Sequence, residues 1–531
     1  MTNHKNADRI MHEVTGDRAI TWLRRSLWIA VVIVLVFLVI WPIWSGIISC
    51  GEDVDYSRGA ALRGTLCYNF QFEWGTSSFR PIDLLSGRLV NLKTLDARAT
   101  ILLHLPAMAA ILMAIWVAIK RLTPSCRLYF PFAALCWCLH TSTTCVLWQH
   151  DTIAQMWASA CGLWLGLLVW EAIERAWAGK SIQRHAILLG LLCVLGVLTK
   201  EVFFGWVAAL DFFLVLTAIV AVQRRNWRML SAITIIFLAI TLIPLGFFAL
   251  RWFGGGLSEF SRLGGRYKPQ LGVNLIYNVV LAVAGYFSMA PIHVLRDPAA
   301  PIFLRAAPLL AIGLNILICI APWLILRISH RDWPGRPRGQ TVAIIASLTF
   351  LGVCATLPIG RISEVYLLGP NAGSAMLTAI GLIGWWQLTR SVHKDDLTIS
   401  SKIGRAMPIA AGAVLLMIGM YGVASRAYHF RLTWSYAGKL DQLLLDHQRS
   451  LPPDKNRVAT VFLPNALTTG LVHNQYVCPP GKSILLDCLE AWRNHSDPLR
   501  QMKLVSSDPI GPINPRDLVV DVNQFPPRRH W

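Results

Sequence analysis

Eleven apolar runs, all but one close to the length a bilayer demands, recur along this chain of 531 residues. A helix needs about 20 mostly apolar residues to cross a hydrocarbon core about 30 Å thick. The runs lie near 27–48, 98–119, 128–148, 153–172, 186–199, 203–222, 229–250, 304–327, 341–358, 366–388 and 406–425. Lipid offers the backbone no hydrogen-bond partners, so spans of this kind are helices. With 55% hydrophobic and 15% charged residues, the chain is far from the roughly 45–50% and 25% of soluble domains. Its 21 Phe and 22 Trp exclude a disordered chain. The first run is too long, and too poor in small residues after it, for a removed signal peptide, and is read as a retained anchor.

Charge sets the direction of the spans. The chain carries 49 Lys and Arg against 29 Asp and Glu, a net +20. In a membrane protein such an excess belongs to cytoplasmic loops, not to nucleic-acid binding. With Arg24 and Arg25 inside, the turns bearing Lys120/Arg121/Arg127, Arg175/Lys180/Arg184 and Arg224/Arg225/Arg228 also fall inside. The basic loops 327–338 and 390–405 stay inside only if 273–294 does not cross completely, so that segment is expected to be re-entrant or interfacial. The expected fold is an all-α polytopic membrane protein of about 11 transmembrane helices plus that one helix. The N-terminus, 1–26, is cytoplasmic. The membrane domain, 27–425, carries an outer loop at 49–97. The tail, 427–531, is a small α/β domain on the outer side, in which RVATVFLP and DLVVDV read as strands and SYAGKLDQLLLDHQ as a helix.

Eight of the twelve cysteines lie in or beside spans, where Cys behaves as a small hydrophobe. Cys50, Cys67, Cys478 and Cys488 fall outside, where an oxidising compartment permits Cys50–Cys67 and Cys478–Cys488 bridges without fixing the pairing. No cysteine or histidine cluster has structural-zinc spacing.

Ionisable groups at membrane depth are costly and therefore informative. Lys200-Glu201 interrupts an apolar run from 186 to 221. The helix before it would be only about 21 Å long, so the pair sits below the outer surface, either as a salt-bridged turn or as a cation that holds a phosphate. Glu52, Asp53 and Asp55 crowd together after the first span; such crowding raises a carboxyl pKa and prepares a general base, unless the segment is a solvated loop start. Arg80-Pro81 offers a fork for phosphate or the start of a helix. Gln149-His150-Asp151 is a polar hairpin or a site element, and Arg361-Ile362-Ser363-Glu364-Val365-Tyr366 an ion-paired loop or another. Arg266-Tyr267 in the 251–272 loop is a further candidate. All of these fall on one face, opposite the basic loops, which describes one polar site fed from the lipid.

The order of these features resembles the GT-C superfamily of integral-membrane glycosyltransferases, and within it the bacterial branch that uses polyprenyl-phosphate sugars. The features are Glu52-Asp53-Val54-Asp55 after the first span, Arg80-Pro81, a lipid-embedded His104, Asp151, Lys200-Glu201 after LLGLLCVLGVLT, and Ser363–Tyr366 ahead of a late span. The likeness covers about 20–425.

The resemblance implies a transferase that moves a sugar from a polyprenyl-phosphate donor to a lipid or glycan acceptor at the periplasmic face of a bacterial inner membrane, as in lipopolysaccharide modification of the cell envelope. It implies Asp53 as the acid that acts on the acceptor hydroxyl, with Asp55 the alternate; Val54 separates acids that many relatives carry side by side. It implies Lys200 on the donor phosphate, oriented by Glu201, with Arg80 and Arg361 as further phosphate contacts and with His150, Asp151, Glu364 and Tyr366 in support. No cofactor is required, although the acids can take a divalent cation. A lipid-linked oligosaccharide flippase or transporter, and an O-antigen ligase or polymerase, are the alternatives; repeat halves typical of transporters are not found.

Overall fold

The structure, a computed structural model, describes residues 2–46, 96–123, 128–149, 152–200, 202–251, 272–295, 302–329, 339–357, 364–392, 399–454, 457–463, 497–505 and 512–521, with a few single residues between them. Its helices are α1 (Thr2–Ser45), α2 (Ile101–Leu122), α3 (Tyr129–Leu139), α4 (Thr141–Leu147), α5 (Ile153–Trp177), α6 (Gln183–Val197), α7 (Phe203–Gln223), α8 (Trp227–Arg251), α9 (Val273–Phe287), α10 (Ile302–Ser329), α11 (Gly339–Leu351), α12 (Leu368–Val392) and α13 (Ile399–Ser450). Three short strands follow, β1 (Ala459–Phe462), β2 (Met502–Val505) and β3 (Leu518–Val519).

Seven helices among the described residues are long and apolar enough to cross a membrane, or eight if the pair α3–α4 is one span. Eleven such runs were expected, and the difference has local causes. The run at 128–148 is bent by 63°, because His140 adopts extended backbone and its Nδ1 accepts the N–H of Ser142, which starts α4. The run at 186–199 yields only the 15 residues of α6. The run at 341–358 yields the 13 residues of α11 and a 3₁₀ turn at Cys354–Thr356. The run at 366–388 is long, but polar for a span, with Asn371, Ser374 and Thr378 all buried.

That polarity fits the position of α12. It packs against α3, α5, α10, α11 and α13, and so occupies the middle of the bundle. Small residues permit this. A Cβ on Gly381 would lie 2.4 Å from the Ile318 carbonyl oxygen, so only glycine lets α12 lie on the α10 backbone.

The basic turns gather at one end. Arg121 pairs with Glu171, and His185 Nε2 lies 3.2 Å from the same carboxylate, which joins α2, α5 and α6. Arg228 Nη2 donates to the Gly179 carbonyl at 2.8 Å, tying the start of α8 to the turn after α5. Gly179 holds a φ of +71°, the left-handed geometry with which helices commonly stop. Trp323 of α10 lies against Gly339, which brings the end of α10 and the start of α11 together.

Helix α9 follows a different course. Its last residue, Phe287, accepts a hydrogen bond from Asn315 Nδ2 midway along α10 at 3.0 Å. Met289 then lies against Gly419 and Gly422 in the middle of the apolar part of α13, and Ile292 folds back against Gly285. The segment thus descends into the bundle and turns.

The helix read over SYAGKLDQLLLDHQ is not separate: α13 runs unbroken from Ile399 to Ser450. Beyond it the strands form a parallel sheet in the order β2-β1-β3, with Ala459 opposite Met502 and Val461 opposite Leu518. Strand β2 was not anticipated. A buried ion pair between Asp441 and Arg493 fastens this unit to α13, and Gln448 Nε2 donates to the carbonyls of Arg493 and Arg500 at 2.9 Å each.

Candidate functional site

Lys200 occupies the break between α6 and α7. Its carbonyl accepts the N–H of Phe203 at 2.9 Å, and the preceding Thr199 turns its hydroxyl back onto the Gly196 carbonyl. The ring of Phe203 fills the space where a side chain on Gly196 would stand, so the two helices meet closely beneath the turn. Lys200 itself is partly exposed, and among the described residues it has no ion-pair partner.

Trp206 lies below this turn at a junction of four elements. Its ring covers Gly162 of α5, Gly352 after α11 and Gly369 of α12; a Cβ at any of the three would come within 2.8 Å of it. Ser159 also borders Gly369, and its hydroxyl donates to the Gln155 carbonyl at 2.9 Å. Three buried groups here keep hydrogen-bonding capacity unmet among the described residues: both amide atoms of Gln155, the Nε1 of Trp206 and the Oδ1 of Asn371. Such orphans are rare in folded interiors and call for a partner. From Trp206 an apolar cavity of about 230 Å³ runs between α2, α5, α7, α11 and α12, past Leu210, Phe213 and Leu348 to Trp170, Glu174 and Thr341 near the basic turns.

The turns at this end approach one another. The 3₁₀ turn Glu364–Leu367, which contains Tyr366, packs against α4, and the turn Cys354–Thr356 packs against α7. Tyr366 is buried. Helix α4 leads to Gln149, also buried. Trp148 donates from Nε1 to the Leu38 carbonyl at 3.0 Å, and its ring lies 4.6 Å from that of Trp41 and 5.8 Å from that of Phe430. The end of α1 therefore stands beside the end of α4. Ahead of α2, Asp96 pairs with Arg98. Burial pushes the Asp96 carboxyl up, but the Arg98 hydrogen bonds outweigh it and hold the group below the usual carboxylate range.

Of the residues anticipated from sequence, Asp53, Asp55, Arg80, His150, Asp151, Glu201, Arg361, the pair Arg266-Tyr267, the side chain of Glu364 and the four outer cysteines Cys50, Cys67, Cys478 and Cys488 lie outside the described residues. His104 is not lipid-facing: it is buried, with Nδ1 3.2 Å from the Thr100 carbonyl. Among the described residues no group of three or more His, Cys, Asp or Glu is placed to hold a metal ion.

Sequence reasoning passed over Gln155, Trp206 and Asn371, whose meaning depends on which helices surround them. It also passed over Asp211, which had a signal: one carboxylate inside the apolar run of α7. Thr241 Oγ1 of α8 donates to its Oδ1 at 2.9 Å.

No family model matches the chain, and no curated protein does. Solved structures are similar over 83–91% of its length. One is the crystal structure of ArnT from Cupriavidus metallidurans bound to undecaprenyl phosphate, at 13% identity over 90% of this chain and 89% of that one, with a TM-score of 0.48. Another is the apo oligosaccharyltransferase of Archaeoglobus fulgidus, at 12% identity over 91% of this chain, with a TM-score of 0.47. The chain spans 64% of that oligosaccharyltransferase. A third is AglB of the same archaeon in complex with an inhibitory peptide and a dolichol-phosphate, at 13% identity over 83% of this chain and 62% of that one, with a TM-score of 0.42. At these values the similarity is one of general arrangement, and no residue's role rests on it.

Proposed function

We propose that the chain is a membrane glycosyltransferase that moves a sugar from a polyprenyl-phosphate carrier to a lipid or glycan acceptor. The reaction takes place at the end of the bundle opposite the basic turns, the periplasmic face of a bacterial inner membrane. In this reading α6, α11, α12 and the bent pair complete eleven crossings, the α9 segment is re-entrant, and the C-terminal unit lies outside.

The observation that carries the proposal is the place of Lys200 at the break between α6 and α7, just before Trp206, which lines the apolar cavity from the first turn of α7. A cation with no ion-pair partner among the described residues, set next to an apolar slot that runs into the bundle, suits a ligand with an anionic head and an isoprenoid tail. The leaving group is a phosphate ester, so its departure calls for a positive point charge rather than a general acid. The acceptor hydroxyl has a high pKa and needs a carboxylate base within hydrogen-bond reach, a role that belongs to Asp53 or Asp55. The transition state has oxocarbenium character, as in glycoside hydrolysis, and a carboxylate beside it stabilises the developing charge. Glu201 orients Lys200; Arg80 and Arg361 share the phosphate. The unmet amide of Gln155 and the Nε1 of Trp206 supply neutral partners for sugar hydroxyls.

The test compares envelope glycolipids by mass spectrometry with and without the gene. Loss of one hexose, pentose or aminosugar from a glycan is expected. Lys200→Ala and Asp53→Asn should each lower transfer about 10²–10⁴-fold in membranes that still hold folded protein. No mass shift in any glycan would abandon transfer in favour of transport.

A further inference from the structure

At the basic end, away from the proposed catalytic face, a cleft of about 740 Å³ opens between α1, α2 and the start of α3. Arg24, Arg25 and Lys120 line it, and among the described residues no carboxylate does. None of the three forms an ion pair among the described residues. This is not general to the region: Arg121, the neighbour of Lys120, is engaged with Glu171. Three like charges around one cleft repel one another, so the arrangement favours an anion between them.

The other walls are aromatic. Lys120 Nζ lies 5.1 Å from the centre of the Trp116 ring, and the rings of Trp28 and Phe130 lie 5.4 Å apart. Trp28 and Trp116 are 43% and 45% exposed, which suits the boundary where amphipathic rings collect. From this level an exposed apolar strip continues along α1 through Ile29 and Ile33 and along α2 to Met113. A soluble phosphate would use the cations and leave the strip idle. A phospholipid would use both.

We propose that this cleft seats the head group of an anionic glycerophospholipid from the adjoining leaflet. The phosphate lies between Arg24, Arg25 and Lys120, the glycerol against Trp28 and Trp116, and the acyl chains along Ile29, Ile33 and Met113. Basic pockets at the cytoplasmic ends of transmembrane helices suit such head groups.

Native mass spectrometry of the full-length protein tests the site, with 1-palmitoyl-2-oleoyl phosphatidylglycerol, the matching phosphatidylcholine, or glycerol 3-phosphate as probe. One retained phosphatidylglycerol, bound at least tenfold more often than phosphatidylcholine, is expected. The triple variant Arg24→Gln, Arg25→Gln, Lys120→Gln should lose it about tenfold. A control triple that removes three exposed charges at the same end, Lys180→Gln, Arg184→Gln and Arg225→Gln, should keep it. Equal loss in both triples would mean diffuse charge attraction and overturn the site. Equal binding of glycerol 3-phosphate would make it a soluble-anion site and overturn the lipid. Should the first triple fail to fold, Lys120→Gln alone must still weaken binding; unchanged binding in that variant sinks the proposal.

Discussion

Asn371 Nδ2 stands 2.8 Å from His140 Nδ1, and the same amide donates to Ser142 Oγ at 2.6 Å. One side chain of the central helix α12 thereby holds both sides of the bend between α3 and α4. All three groups are buried. Asn371→Ala should destabilise the folded protein by about 1–3 kcal/mol, the cost of leaving buried polar groups unmet. Asn371→Asp should do worse, because it sets an acceptor against the acceptor Nδ1 at neutral pH. Thermal unfolding in detergent measures both, and an Asn371→Ala midpoint equal to that of the native protein would deny the bend its lock.

The spans were legible because lipid imposes one length on every crossing, and α1, α2, α5, α7, α8, α10 and α13 carry it openly. The break at Lys200 was legible because charge inside an apolar run is costly. The central place of α12 was not legible: its Gly, Ser, Thr and Asn weaken the hydropathy signal, and only the packed neighbours show that they serve close helix contact. The bend at His140 was hidden for a similar reason, since 128–148 is apolar throughout and the cap made by His140 is a three-dimensional event. The continuity of the last span with the tail helix was not read from composition, although nothing in 425–435 stops a helix; no Pro or Gly stands there. Of the candidate site, sequence supplied charges but not Trp206 or Gln155, whose role arises from the glycines and helices around them.

Asp211 and Thr241 link α7 to α8 at membrane depth. Hydrogen bonds of this kind are modest, since a helix pair separated in lipid finds other partners; double-mutant cycles average about 0.6 kcal/mol and reach about 1.7. A cycle of Asp211→Leu and Thr241→Val, read by unfolding in denaturing detergent, should return a coupling in that range. A coupling indistinguishable from zero would show that the contact does not hold the helices together.

Burial raises the Asp441 carboxyl, and Arg493 only partly opposes that. Removing either partner strands a charge in the interior, at a cost of about 3–5 kcal/mol. The two losses should differ in pH dependence. In Arg493→Met the carboxyl loses its counter-charge and rises further, so the penalty is present above its folded pKa and relieved as pH falls and the group protonates. In Asp441→Asn the guanidinium cannot be neutralised, and the penalty persists. Hydrogen exchange along 438–450 at pH 7.5 and 5 separates the cases; the same loss at both pH values in Arg493→Met would contradict this assignment.

His447 adds a titration of opposite sign. Burial lowers it below the ordinary histidine value, and the Arg516 backbone and the Asp517 charge push back only partly. A depressed histidine contributes stability that is present above the ordinary value, about 6.5, and lost as pH falls through the folded value, because the unfolded chain takes up the proton first. Amide protection in β1 (Ala459–Phe462) should therefore weaken between pH 7.5 and 5.5. His447→Gln should flatten that slope, and would leave the Asp441 titration, which strengthens the fold as pH falls, as the remaining trend. An unchanged slope in His447→Gln would move the pH sensitivity of this unit to another group.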